Sequence, residues 1–84
     1  MSELTQAERK WVRDLQKVLD KCPSDRIGFY TIGDSDVSLF DKCKESQIND
    51  RQDRGMDFGP AATVVGARFD EVLQFPSNVY STAG

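Results

Sequence analysis

The chain contains no histidine, only two cysteines and no long apolar run. Histidine is the commonest general base and the commonest transition-metal ligand, so its absence removes the usual form of both kinds of site. Cys22 and Cys43 would need two carboxylate ligands beside them to hold a structural zinc ion. A reducing cytoplasm argues against a disulfide between them, so we interpret both as inert, partly buried thiols.

No apolar run approaches the roughly 20 residues that a membrane-spanning helix needs. The N-terminal residues, Met-Ser-Glu-Leu-Thr-Gln, lack the basic and apolar segments of a secretory signal. The prediction is therefore a cytoplasmic protein without a membrane segment. Its 84 residues allow one small domain, 1–84.

The net charge of −3 is distributed unevenly along the chain. Residues 1–22 carry five basic and four acidic side chains, whereas residues 23–84 carry six basic and ten acidic ones. Non-specific binding of nucleic acid depends on several Lys or Arg contacts with phosphates. This charge balance therefore argues against a nucleic-acid partner.

The N-terminal segment has the periodicity of an amphipathic helix over residues 6–21. Thr5 and Glu8 have the spacing of a capping box, and Pro23 would end the helix. Apolar residues recur at steps of three or four. They form a stripe of Leu4, Ala7, Trp11, Leu15, Val18 and Cys22, widened by Val12 and Leu19.

A β-hairpin is predicted over residues 26–41, where two β-rich runs flank the turn residues Gly33-Asp34-Ser35-Asp36. Alternation places Phe29 and Leu39 on one face, which we expect to pack on the Trp11 stripe. Tyr30 and Phe40 lie on the other face. That second face is either covered by the C-terminal half or open to a partner.

The C-terminal half is less regular. Residues 42–54 are polar and fit either a short helix capped by Asp41 or Ser46, or a loop. Residues 61–69 are predicted to form a strand, with a helix as the alternative. Residues 72–75 are predicted to form another strand. Residues 78–81 fit either a short strand or an extended tail. The predicted fold is α+β, with one N-terminal amphipathic helix packed on a small antiparallel sheet of three to five strands.

No motif in the sequence assembles a catalytic, cofactor or metal site. Asp34, Ser35 and Asp36 resemble the start of a calcium loop, but that register places Leu39 where the loop requires glycine. The pairs Asp34/Asp36 and Asp50/Asp53 fit solvated turns better than acid–base chemistry. We therefore predict no cofactor and no enzymatic activity.

Protein interaction is the function class that remains. An aromatic hairpin and an extended tail predict a partner-binding surface, with a host or phage protein or a second copy in a weak homodimer as the partner. The alternative reading of the tail is that it completes the sheet. A second hypothesis is a nucleic-acid-associated module that combines sheet aromatics with Arg51 and Arg54. The candidate partner-binding residues are Tyr30, Phe40, Phe75, Val79 and Tyr80.

Two segments carry a family resemblance. Residues 22–34, CPSDRIGFYTIGD, and residues 75–84, FPSNVYSTAG, resemble small proteins encoded by lambdoid phages and prophages. The likeness extends over nearly the whole chain, but the family has no known activity, so it supplies no functional residues. It implies an accessory protein that acts inside an enteric bacterial cell, with a host factor as one candidate target.

Overall fold

The structure, a computed structural model, describes residues 2–81. The helices are α1 (Gln6–Asp20), α2 (Glu45–Asp53) and α3 (Phe58–Val64), and the strands are β1 (Ile27–Tyr30), β2 (Asp36–Asp41) and β3 (Arg68–Gln74). A 3₁₀ turn, Lys42–Lys44, precedes α2. The strands form one antiparallel sheet in the order β1-β2-β3. The predicted α+β class is confirmed.

Helix α1 begins with the predicted capping box. The backbone N–H of Glu8 donates to Thr5 Oγ1 at 3.2 Å, and the backbone N–H of Thr5 donates to Glu8 Oε1 at 2.8 Å. These bonds satisfy amide groups that have no partner within the first turn. The helix ends at Asp20, shortly before Pro23.

The expected packing of the α1 stripe along the sheet does not form. No residue of α1 is buried, and Trp11 is 55% exposed. Only the last turn of the helix approaches the sheet, near Phe29 and Leu39. The helical cover of the sheet comes instead from α2 and α3.

The predicted hairpin is confirmed, with Phe29 opposite Leu39 and Gly28 opposite Phe40. Gly28 is buried, and a Cβ atom at this position would collide with the Phe40 ring. The bare glycine backbone therefore lets this ring lie against β1. The register places Phe29 and Leu39 on one face of the sheet, with Gly28 and Phe40 on the other.

The face of Tyr30 and Phe40 is covered by α2 and α3. Phe58 of α3 contacts both rings, with centroid separations of 5.0 Å to Tyr30 and 5.0 Å to Phe40. Tyr30, Phe40 and Phe58 thus form an aromatic cluster. The buried core consists of Phe40, Ile48, Ala61, Ala62 and Ala67. The core thus lies on one side of the sheet only.

The polar segment 42–54 takes the helical alternative. Asp41 ends β2 and caps the 3₁₀ turn, since its carboxylate accepts a hydrogen bond from the backbone N–H of Cys43 at 2.9 Å. Ile48 of α2 is fully buried and anchors this segment to the core. A single apolar residue therefore fixes an otherwise polar helix.

Over residues 61–69 the preferred strand is wrong for the first part, where the helical alternative holds as α3, and only residues 68 and 69 belong to a strand. Pro60 lies in the first turn, where backbone N–H groups have no intrahelical partner, so the missing donor costs little. The alanines at 61 and 62 pack tightly in the core, where larger side chains would not fit. Gly66, at a φ of 73°, ends the turn after the helix and leads into β3.

Strand β3 is longer than predicted and includes Asp70 and Glu71. The following tail, 76–81, contains no strand, so the extended alternative holds for its described part. Two backbone hydrogen bonds of 2.8 Å tie the tail to the hairpin turn, from Phe75 N–H to the Ser35 carbonyl and from Val79 N–H to the Asp34 carbonyl. Residues 82–84, part of the resemblance segment, lie outside the described residues.

Candidate functional site

The sheet face that points away from α2 and α3 is apolar and uncovered. Phe29 pairs with Leu39, and Val37 pairs with Leu73, so these four side chains share one face. Phe29 is 49% exposed, and Leu73 and Phe75 are also exposed. We call this surface the open face; it consists of Ile27, Phe29, Val37, Leu39, Leu73 and Phe75.

A hollow of about 480 Å³ lies between the open face and the end of α1. Val18 and Leu19 of α1, with Cys22 just beyond the helix, form one wall, and the open face forms the rest. Cys22 and Cys43 are both exposed, so the predicted partial burial of the thiols is wrong. Hydrogen-bonding groups are few along this lining, so it suits an apolar side chain better than a polar small molecule. The hollow therefore reads as a docking surface, without the convergent polar groups of a catalytic site.

One rim of the open face is charged. The guanidinium of Arg26 lies 5.1 Å from the ring centroid of Phe69 and 3.6 Å from a carboxylate oxygen of Asp41. Glu71 borders the same rim. Arg26 is thereby held between an aromatic ring and a carboxylate.

The Asp41 carboxylate is stabilised in its charged form. The hydrogen bond from the Cys43 backbone N–H lowers the pKa of Asp41 below its ordinary value, and partial burial opposes this effect. The positive charges of Arg26 and Lys44 lower the pKa further. The stabilised carboxylate caps the 3₁₀ turn and holds the end of β2.

The structure separates the five candidate partner-binding residues. Tyr30 and Phe40 belong to the aromatic cluster and pack against Phe58, so core packing accounts for both. Phe75 lies on the open face, Val79 is half-buried in the tail, and Tyr80 is 83% exposed. Of the five, only Phe75 joins the apolar surface described above.

The other members of the open face were not predicted as partner-binding residues. Phe29 and Leu39 were assigned to the contact with α1, which forms only at the last turn of the helix. The strand alternation did carry the signal, because it placed apolar residues on both faces of the hairpin. It could not show which of the two faces the helices would cover.

The acidic turn lies on the other side of the sheet. The Asp34 carboxylate accepts a hydrogen bond from the backbone N–H of Asp36 at 2.9 Å, and Gly33 has a φ of 94°. Both features are typical of turn chemistry. Among residues 2–81, no three Cys, Asp or Glu side chains converge in a way that could hold a metal ion.

Arg51 lies on α2 and Arg54 is its C-cap, over the face that carries Phe40. Arg54 pairs with Asp50 at 3.4 Å, which offsets part of its charge. The exposed rings of Phe29 and Phe75 lie on the opposite face. The structure therefore does not bring these arginines beside the exposed aromatics of the sheet.

Comparison of the chain with protein-family models, with curated proteins and with solved structures gives no match. In the described part of the chain, no helix is both long and apolar enough to cross a membrane. The assignment of function therefore depends on the surface itself.

Proposed function

We propose that the chain is a non-enzymatic protein-interaction or regulatory accessory protein of phage or prophage origin. It binds its partner through the open face and the adjacent α1 stripe, in the cytoplasm of the bacterial host. The proposed origin and location follow from the sequence resemblance. The proposed mode of action follows from the surface.

The observation that carries this proposal is the exposed apolar face of the sheet. Among the described residues, five apolar side chains are buried, whereas twelve large apolar side chains are exposed. Three of the exposed side chains, Phe29, Leu73 and Phe75, share the open face with the half-buried Ile27, Val37 and Leu39. Exposed apolar residues are common when scattered, but a contiguous apolar face is typical of an interaction site. A partner that covers this face would remove its apolar side chains from water, which favours association.

The test compares two variants of the tagged protein. The first, Phe29→Thr combined with Leu73→Thr, removes apolar area from the open face and keeps residues that favour strands. The second, Ile32→Thr, removes an exposed apolar side chain from the other side of the sheet, where Ile32 lines a cleft beside α3. Far-UV circular dichroism verifies that both variants fold.

Each protein is used to capture partners from nuclease-treated lysate of an enteric bacterium. The proposal expects a protein partner that the unmodified chain and Ile32→Thr retain equally, and that the double variant loses by about tenfold or more. A partner set that does not depend on the open face would overturn the proposal. A signal abolished by nuclease and dependent on Arg51 and Arg54 would favour a nucleic-acid module instead.

A further inference from the structure

We propose that the partner of the open face is a second copy of this chain. In this dimer the first three turns of α1 from each copy lie across the open face of the other, around a two-fold axis. This inference rests on the proposed function, since it names the occupant of the same surface. Three observations support it.

The first observation is that the chain carries two apolar surfaces that its own fold does not join. The last turn of α1 borders the hollow through Val18 and Leu19, so the helix leaves the sheet from that edge. Leu4 and Trp11, further along the stripe, remain exposed. Among residues 2–81, nothing therefore covers the Leu4–Trp11 end of the stripe, whereas Leu15, nearer the hollow, is half-buried.

The second observation is the shape of the chain. Its radius of gyration is 15.3 Å, and its longest dimension is 47 Å. A compact domain of this length has a radius of gyration of about 12 Å. The excess length is consistent with a helix that projects from the sheet, where its apolar stripe is accessible to a second copy.

The third observation is the area available for burial. At about 150–250 Å² for a large side chain, the exposed fractions of Leu4, Trp11 and Val12 leave roughly 220–370 Å² on the crossing part of the stripe. Those of Phe29, Leu73 and Phe75 leave roughly 190–310 Å² on the open face at the same area per side chain. Two reciprocal contacts would then cover roughly 800–1,400 Å² of apolar surface, and because about 60% of an interface is apolar, the whole interface would reach the size of stable protein–protein interfaces. A single contact of this kind would fall below that range.

Symmetry explains why one partner suffices. Each copy supplies one stripe and one open face, so a two-fold arrangement satisfies both surfaces of both copies. The connection between α1 and β1, residues 21–26, has no regular structure and contains Pro23. It sets the direction in which the helix leaves the sheet.

The first measurement uses the unmodified protein. Trp11 is the single tryptophan of the chain and lies in the α1 stripe, so its fluorescence reports on burial of that stripe. As the protein concentration rises, sedimentation should show a monomer–dimer transition. Over the same range, Trp11 emission should shift to shorter wavelength and become less accessible to acrylamide.

The second measurement uses two complementary variants. The face variant, Phe29→Thr with Leu73→Thr, keeps Trp11 and its stripe, whereas the stripe variant, Leu4→Gln with Trp11→Gln, keeps the open face. Each variant alone should dimerise at least about tenfold more weakly than the unmodified chain. In an equimolar mixture the intact stripe of the face variant can bind the intact open face of the stripe variant. Association should then return in part, together with the blue shift of Trp11 emission in the face variant.

Val64→Gln, on the exposed side of α3, is the matched control and should dimerise normally.

Several outcomes would overturn this inference. If the face variant still dimerises and the stripe variant does not, the dimer forms through contacts between the two α1 helices and not through the open face. Variants that fail to recover in the mixture would exclude the exchange of α1. A strictly monomeric chain whose Trp11 signal is independent of concentration would exclude the dimer. If such a monomer still captures a face-dependent partner, the proposed function stands without this inference, and if it captures none, both fall.

Discussion

At the scale of single residues, Gly28 has the clearest structural role. It pairs with Phe40 in the hairpin and leaves the space in which the Phe40 ring lies. Phe40 in turn contacts Phe58, so this glycine positions the aromatic cluster. The requirement is for space, since Gly28 does not adopt a positive φ.

Gly28→Ala should lower the free energy of unfolding by about 1–3 kcal/mol, because the new methyl group must displace the Phe40 ring. Urea denaturation measures the effect. Gly59→Ala is the control, since its Cβ would meet only Tyr30, at 3.8 Å. Pro60 follows Gly59 and offsets the helical gain, so the control should change stability by less than about 1 kcal/mol. Equal effects of both substitutions would contradict the assigned role.

Asp41 gives the fold a pH dependence. Its folded-state pKa is lowered from the ordinary value of 3.8 by the Cys43 backbone hydrogen bond, with Arg26 and Lys44 contributing. The folded state therefore favours the carboxylate more than the unfolded chain does. The resulting stabilisation is present in full above 3.8 and is lost as the pH falls through the lower folded-state value.

Asp41→Asn should therefore lower the melting temperature at neutral pH and have a smaller effect in acid. Thermal unfolding of both proteins, from neutral pH to well below 3.8, measures this difference. Asp57→Asn is the control, because Asp57 makes no side-chain capping hydrogen bond. A difference for Asp41→Asn that does not change with pH would show that the charge has no role.

At the scale of elements, α1 depends on local interactions in the isolated chain. It buries none of its residues, and a 15-residue helix without tertiary contacts is only marginally stable in water. The capping box and the Lys10–Asp14 pair, at 3.0 Å, are therefore important to it. Helices α2 and α3 differ, because buried residues hold each of them to the sheet.

Thr5→Ala should remove about 0.5–2 kcal/mol of helix stability. At concentrations where the chain is monomeric, the loss should appear as lower helical circular dichroism with no change in the unfolding midpoint of the core. Thr5→Ser keeps the capping oxygen and should behave like the unmodified protein. If Thr5→Ala also lowered the unfolding midpoint of the core, this result would show that the stability of the core depends on packing of α1 on its own sheet.

At the scale of the whole molecule, the one-sided core limits stability. Ile48 is the largest fully buried side chain among the described residues, and three alanines make up most of the remaining core. A domain of this size is stable by about 4–13 kcal/mol. Few contacts therefore account for a large share of the folding free energy.

Ile48→Ala should cost about 2–5 kcal/mol and should leave a substantial fraction of the chain unfolded at physiological temperature. Denaturant unfolding checks the magnitude. Val64→Ala removes a side chain that is 53% exposed, so it should have little effect. Similar costs for the two substitutions would contradict a core centred on Ile48.

Several elements could be predicted from the sequence because their signals are local. The 3.6-residue period and the capping box identified α1, and two β-rich runs around a turn cluster identified the hairpin. Helix α3 was only the second choice for residues 61–69, and its start was not predicted, because Gly59 and Pro60 favour a turn when they are considered alone. Only packing of Ala61 and Ala62 beneath Phe40 makes the helix the better solution.

The sequence alone determined the α+β class, the capped N-terminal helix and the alternation that places Phe29 and Leu39 on one face of the hairpin. These features depend on residues close together in the chain. The tertiary structure decided which sheet face is covered, because both faces are apolar and the choice depends on α2 and α3 docking through Ile48 and Phe58. The open face and the exposed α1 stripe follow from that choice, since a core on one side of the sheet leaves the other side without cover.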